Sequence, residues 1–134
     1  MKVLVDTPIW SHVLRRKYRP ENAATAVEVA SLMQDGRIAM IGLIRQQILS
    51  GVRERAQFEE LRDSLRDFPD TEVTTVDYEE AASFYNECRR HGIQGSNTDF
   101  LICAVAVRNG FSIFTRDEDF VHFARLLPIA LYDS

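Results

Sequence analysis

Cysteine is scarce in this 134-residue chain: Cys88 and Cys103 are the only two, and they form no CxxC or zinc-ligand spacing. A disulfide framework and a structural zinc site therefore find no support, and two reduced thiols in a cytosolic protein is the plain reading. Long apolar runs are also missing, since none approaches the ~20 residues that a membrane span needs. The opening Met1-Lys2-Val3-Leu4-Val5-Asp6 meets an acid too soon for a signal peptide. A cytoplasmic location without membrane contact is the expectation. Positive charge is in deficit as well, with 16 Lys and Arg against 20 Asp and Glu and a net charge of −4. That balance argues weakly against holding nucleic acid by a general basic field. Neither GxGxxG nor GxxxxGK[ST] occurs, so the phosphate cradles of dinucleotide and P-loop proteins are absent. His12, His91 and His122 show no metal-binding spacing. Lys2 and Lys17 are the only lysines, and neither stands where a receiver domain needs one. An aspartyl phosphatase would want a second Asp two residues after Asp6, where Pro8 stands.

What is present has the composition of an ordinary globular domain, 46% hydrophobic and 27% charged, of a length that fits one domain over 1–134. Fourteen of the sixteen cations are Arg. Arg is the better fork for phosphate oxygens, although a generally Arg-rich composition explains the bias equally well. Val3-Leu4-Val5 predicts a buried strand, ended by Asp6-Thr7-Pro8, with Pro8 suited to the first turn of a helix reaching about Arg16. A basic loop follows over 15–20, then a helix from Ala23 to Gln34 closed by Gly36. Ile38 to Ile41 predicts a second strand, and residues 44–50 and 53–68 predict helices. Glu72 to Val76, with its β-branched residues, predicts a third strand before a helix over 78–90. A strongly apolar helix is expected over 100–108, a strand over 111–114, a short helix over 118–125 and a last strand over 129–131. Strands separated by helices imply a parallel sheet covered on both faces.

Ligands of such sheets bind beyond the carboxyl ends of the strands. Asp6 and Asp117 fall at that edge, directly after the first strand and three residues after Phe114. Asp99 opens the helix that leads into the 111–114 strand, which suggests the opposite edge unless the preceding loop carries it round. Each acid also has a plain structural role open to it. Asp6 could cap the helix at Pro8, Asp99 could form a capping box with Ser96, and Asp117 could cap the short helix after it. Residue by residue, the reading stops at an α/β domain with a possible acidic site.

Four stretches carry more. Residues 3–10 (Val-Leu-Val-Asp-Thr-Pro-Ile-Trp), 41–51 (Ile-Gly-Leu-Ile-Arg-Gln-Gln-Ile-Leu-Ser-Gly), 98–104 (Thr-Asp-Phe-Leu-Ile-Cys-Ala) and 114–120 (Phe-Thr-Arg-Asp-Glu-Asp-Phe) resemble, in order and at fitting intervals, the motifs of the PIN-domain nucleases. The resemblance is strongest to the short VapC-type toxins of bacterial toxin–antitoxin pairs. It implies a PIN-like three-layer sandwich whose central parallel sheet has about five strands flanked by helices. It also implies a metal-dependent endoribonuclease that hydrolyses RNA phosphodiester bonds, leaving a 5′-phosphate.

By this resemblance Asp6, Asp99 and Asp117 hold Mg²⁺ or Mn²⁺, and position 47 completes the catalytic set. Thr7, Thr115 and Asp119 stand as auxiliaries that orient carboxylates or waters, and Arg45 and Arg116 as phosphate contacts. Hard divalent cations want oxygen ligands, and Mg²⁺ is content with one or two carboxylates, several waters and substrate phosphate. The implied partners are RNA, a cognate antitoxin whose tail enters the acidic pocket, and a second copy of the chain. Phe84, Tyr85 or Trp10 could serve that dimer, although core packing is the commoner fate of such residues.

The departure is Gln47, four residues before Gly51 where the family normally has Glu. Gln is nearly isosteric, so the fold should survive while the site loses a charge and a base. An inactivating replacement and a natural low-activity variant both fit. A non-catalytic module that binds RNA or a protein partner through the same pocket is the alternative function.

Overall fold

The computed structural model describes residues 1–14 and 23–133. The expected basic loop over 15–20, and the end of the first helix at Arg16, lie outside the described residues. Among the described residues the chain forms four strands and seven helices. In chain order they are β1 (Val3–Val5), α1 (Thr7–Leu14), α2 (Ala23–Gln34), β2 (Ile38–Ala39), α3 (Gly42–Leu49), α4 (Arg55–Leu65), α5 (Thr75–Arg90), α6 (Asn97–Asn109), β3 (Ser112–Phe114), α7 (Asp119–Ala124) and β4 (Ala130–Leu131). The strands make one parallel sheet in the order β2-β1-β3-β4. β1 is fully buried, as the continuous apolar run Val3-Leu4-Val5 requires of a central strand covered on both faces.

The sheet has four strands rather than about five, and the missing one is the strand expected over 72–76. There the chain makes a single parallel bridge, Met40 to Asp70, with the Thr71 N–H donating to the Met40 carbonyl at 2.7 Å. Thr74 then caps α5: its hydroxyl accepts from the Asp77 N–H, and the Asp77 carboxylate accepts from the Thr74 N–H. A reciprocal capping box satisfies two orphan donors at once, and it outweighs the modest β-propensity of Val73, Thr74, Thr75 and Val76.

The helices pack in two groups, α1 with α2 and α3, α3 with α4, and α5 with α6. Trp10 is fully buried and meets Phe68 edge-on, Phe84 is buried, and the half-buried Tyr85 packs on Phe100. All three aromatics considered for a dimer face thus belong to the core or its margin. Arg45 joins α3 to the end of α4. Its guanidinium donates to the Leu65 carbonyl at 2.9 Å, to the Phe68 carbonyl, and to Asp70 Oδ1 at 3.1 and 2.9 Å. It thereby adds a second donor to the Leu65 carbonyl, which already accepts from the Phe68 N–H at 3.1 Å, and supplies one to the Phe68 carbonyl just past the helix end.

Two glycines fix the element that leads to the sheet edge. Gly110 ends α6 at φ 70°, in the left-handed region that favours glycine, and turns the chain into β3. Gly95 lets the loop before α6 lie on an aromatic cluster, because a Cβ there would stand 2.5 Å from Phe123 and 2.9 Å from Phe100.

Candidate active site

The register of the sheet builds the first part of the site. Val5 pairs with Phe114, so the next residues of the two strands, Asp6 and Thr115, emerge side by side at the carboxyl edge. The Asp6 N–H continues the ladder to the Phe114 carbonyl at 2.9 Å. Thr115 donates its hydroxyl to Asp6 Oδ2 at 2.9 Å, and the Thr7 N–H donates to Asp6 Oδ1 at 2.9 Å. Asp6 is therefore not a side-chain helix cap in the usual sense. Its backbone carbonyl accepts from the N–H groups of Ile9 and Trp10, while its carboxylate is held across the sheet edge.

α6 supplies the second acid. A helix returning to a parallel strand runs antiparallel to it, so it starts at the carboxyl edge. Asp99 needs no detour to reach Asp6, and the opposite-edge placement suggested by the sequence is corrected by this geometry. The capping box open to Asp99 does form: the Ser96 hydroxyl accepts from the Asp99 N–H at 3.1 Å, and Asp99 Oδ2 accepts from the Ser96 N–H at 3.3 Å. Capping and cleft lining coexist in one side chain. Asp117 is fixed by the loop after β3, where the Asp117 N–H donates to Thr115 Oγ1 and Asp117 Oδ1 accepts from the Asp119 N–H.

Asp6, Gln47, Asp99 and Asp117 line one cleft of about 370 Å³ together with Thr7, Pro8, Ser11, Ser96 and Thr98. No lysine, arginine or histidine is among these lining residues. Gln47 reaches the cleft from α3, where Ile44 and Ile48 are buried, and its Oε1 accepts from the Thr7 hydroxyl at 2.6 Å. Thr115 and Asp119 act on the acids through the bonds above. Arg45 does not line the cleft, its guanidinium being taken up at the end of α4, and Arg116 is exposed in the loop beside Asp117.

Sequence reasoning passed over Ser11 and Thr98 as cleft residues. Ser11 follows Thr7 by four positions, so the shared helix face was the signal available for it.

The charges that act on Asp6 and Asp99 in the cleft are those of other carboxylates. Burial pushes the Asp6 carboxyl above its ordinary range. The hydrogen bonds from Thr115 and Thr7 pull it down, and the charges of Asp99 and Asp117 raise it further. Burial also raises Asp99, against the bonds from Ser96 and with the charges of Asp117 and Asp119. Desolvation and like charge thus outweigh the donors at both positions. Among the described residues no group of three or more His, Cys, Asp or Glu side chains stands close enough, as placed, to hold a metal ion by itself. The donor set nevertheless suits a hard cation that keeps part of its water: oxygen atoms only, carboxylates oriented by neighbouring donors, and charge that an ion would relieve.

The PIN-domain family model matches residues 3–126, and the chain belongs to the PIN-domain family. It is 34% identical over 128 residues to VapC ribonuclease Mb1587 of Mycobacterium bovis, covering 92% of each chain. The same identity and coverage hold for ribonuclease VapC11 of Mycobacterium tuberculosis. Among solved structures, VapBC2 from Rickettsia felis bound to a promoter DNA fragment is similar at a TM-score of 0.78 and 16% identity, over 100% of this chain and 99% of that one. FitAcB from Neisseria gonorrhoeae is similar at 0.71 and 17%, over 98% and 96%. At such identities the solved structures establish the fold.

Proposed function

We infer that the protein is a divalent-metal-dependent endoribonuclease of the VapC toxin type, hydrolysing RNA phosphodiester bonds. The observation that carries this is that Asp6, Asp99 and Asp117, from three separate motifs, line one cleft with no cationic side chain among its described lining residues. The relatives named as VapC ribonucleases, matched over nearly their whole length, supply the reaction class.

We assign the cation to Asp6, Asp99 and Asp117, and we take it to be Mg²⁺ or Mn²⁺, both of which accept oxygen donors. When bound, it supplies a Lewis acid that neutralises charge developing on the phosphate and makes water more acidic. The rest is done by the chain. Thr7 and Thr115 hold both oxygens of Asp6 in one orientation. Ser96 fixes Asp99, and the Asp119 N–H fixes Asp117. Burial and neighbouring carboxylates raise the Asp6 and Asp99 carboxyls, a cost that a bound cation would relieve.

Gln47 supplies an amide at the position where a carboxylate is usual, so the site has one charge fewer for the ion and one base fewer for water. Its bond to Thr7 keeps the geometry and so favours reduced activity over a rebuilt pocket. The second reading, an RNA- or protein-binding module without catalysis, draws on the same residue.

A toxin–antitoxin complex from Klebsiella pneumoniae is among the similar solved structures, and an antitoxin partner and a homodimer belong to the same proposal for this chain. A cytoplasmic site of action goes with it. Among the described residues no helix is long and apolar enough to cross a membrane.

The test compares RNA cleavage by this chain and by Gln47→Glu, each with Mg²⁺, Mn²⁺ or chelator. Metal-dependent cutting that Gln47→Glu increases supports the enzyme. RNA retained but uncut by both proteins supports the binding module.

A further inference from the structure

A second and larger cavity, about 690 Å³, adjoins the acidic cleft, and Ser11 lines both. It opens between α1, the end of α3, the turn at 50–54 and α4. No residue of the four family-like motifs that bears a metal-ligating acid faces it. Its volume falls within the range of ordinary small-ligand sites. Its walls divide by chemistry. Leu14, Ile48, Val52 and Leu61 give apolar surface from three helices and the turn at 50–54, and Arg53, Glu54 and Gln57 bring polar groups to it.

We propose that this cavity receives a nucleobase of the RNA strand as it leaves the catalytic cleft, with the sugar–phosphate chain outside. The proposal rests on the endoribonuclease reading and specifies how that enzyme selects its substrate. An endonuclease must hold the strand on both sides of the bond it cuts, and the surface that continues the acidic cleft past Ser11 is this cavity. The charged side chains among the described lining residues are Arg53, Glu54 and Glu60, a mixed set that does not mark the cavity as a phosphate site. A base fits better. Its faces are uncharged and rest on aliphatic or aromatic surface, while its edge offers donors and acceptors to amide, carboxylate and guanidinium groups.

The hydroxyls of Ser50 and Ser64 donate back to the Gln46 and Glu60 carbonyls, which leaves their lone pairs to the cavity. With Glu54 they add acceptors to the donors of Arg53, so the cavity can tell base edges apart by their donor and acceptor pattern. Gln57 is exposed on α4 and can meet either kind of edge. The flank of the cut should therefore carry a base preference, while the cleft, with only hydroxyls, acids and one amide, reads the backbone.

The experiment uses the full chain and its Gln47→Glu variant with fluorescein-labelled RNAs lengthened by one nucleotide at a time on either side of the cleavage point. Binding is read by anisotropy, and contact by photo-crosslinking from 4-thiouridine at each position. One added nucleotide on one side should tighten binding on the order of tenfold and crosslink to the 50–61 region. Gln57→Ala should change the ranking of the four bases at that position, and Leu61→Ala should remove the increment without base discrimination. A Leu61→Ala protein that fails to fold leaves the exposed Gln57→Ala variant and the crosslinks to decide. Tight RNA binding or cutting with no such increment, with an unaltered base ranking and with crosslinks elsewhere overturns the cavity assignment alone. The same result accompanied by loss of protein-partner binding in the cavity variants assigns the cavity to a protein segment instead. Failure of every RNA to bind or be cut by either protein overturns the endoribonuclease reading, and this proposal with it.

Discussion

Two capping boxes in this molecule begin alike and end in opposite electrostatics. At the start of α5, Thr74 and Asp77 exchange backbone bonds, and at the start of α6, Ser96 and Asp99 do the same. α5 packs against α6, and Arg108 at the end of α6 reaches Asp77, donating to both carboxylate oxygens at 2.6 and 2.9 Å and to the Glu72 carbonyl. Asp77 is 1% exposed, and its carboxyl is held below the usual carboxylate range, first by that guanidinium. Asp99 has Asp117 and Asp119 as its charged influences, and burial raises it; Asp6, 7% exposed, is raised in the same way. One acid is completed by the protein and serves the fold. The charges that act on the others are those of further carboxylates, which suits the proposed cation site and not a buried ion pair.

The sharpest way to break this comparison is to neutralise each acid in the Gln47→Glu background. Asp6→Asn or Asp99→Asn should reduce RNA cleavage by more than about 100-fold while the metal-free protein melts no lower, since a charge that burial disfavours has been removed. Asp77→Asn should do the reverse, keeping most of the cleavage and losing several degrees of melting temperature. Loss of cleavage in Asp77→Asn comparable to that in Asp99→Asn would erase the distinction. Reversion itself, Gln47→Glu, should raise cleavage about 10–100-fold. Equal rates in both proteins would place position 47 outside the chemistry.

The pH dependence separates the two regions by sign. Asp77 has a depressed folded pKa, so its stabilisation is present above the ordinary carboxylate range and is lost as pH falls through the folded value. Asp6 and Asp99 are raised, so the unfolded chain gives up their protons first. Without metal they cost stability as pH climbs from the ordinary range through their folded values. Arg108→Met should therefore flatten the acid limb of a stability–pH curve, and Asp6→Asn the limb above it. Melting temperatures from pH 3 to 8 in chelator, a range set by ordinary carboxylate values, would expose any crossing of these assignments. The smallest effect belongs to the surface. The Arg55–Glu59 pair on α4 is mostly exposed, and Arg55→Ala should change unfolding free energy by no more than about 0.5 kcal/mol in denaturant titrations.

Much of this architecture is legible in the residues themselves. β1 follows from an uninterrupted apolar triplet, and α6 from Ser96, Asp99 and Gly110 at its ends with seven consecutive buried side chains between them. The strand expected over 72–76 was not legible, because Thr74 and Asp77 compete for the same backbone and a capping box leaves no trace in β-propensity. At the site, Asp6, Asp99 and Asp117 stood out as acids at element ends, but each had a capping role open to it. Only the pairing of Val5 with Phe114 and the antiparallel return of α6 bring them into one cleft. Arg45 looked like a phosphate contact by proximity to the second motif. Its direction along α3, toward the end of α4, is a tertiary fact that spacing alone does not contain.

Divalent-metal binding measured directly tests the account at its centre. Titrating Mn²⁺ into the Gln47→Glu protein and its Asp6→Asn, Asp99→Asn and Asp77→Asn derivatives, by calorimetry at neutral pH, requires no RNA. The account predicts saturable binding with proton release in the parent and in Asp77→Asn, and loss of that binding in Asp6→Asn and Asp99→Asn. Undiminished binding in both cleft variants, with each protein folded, would contradict it.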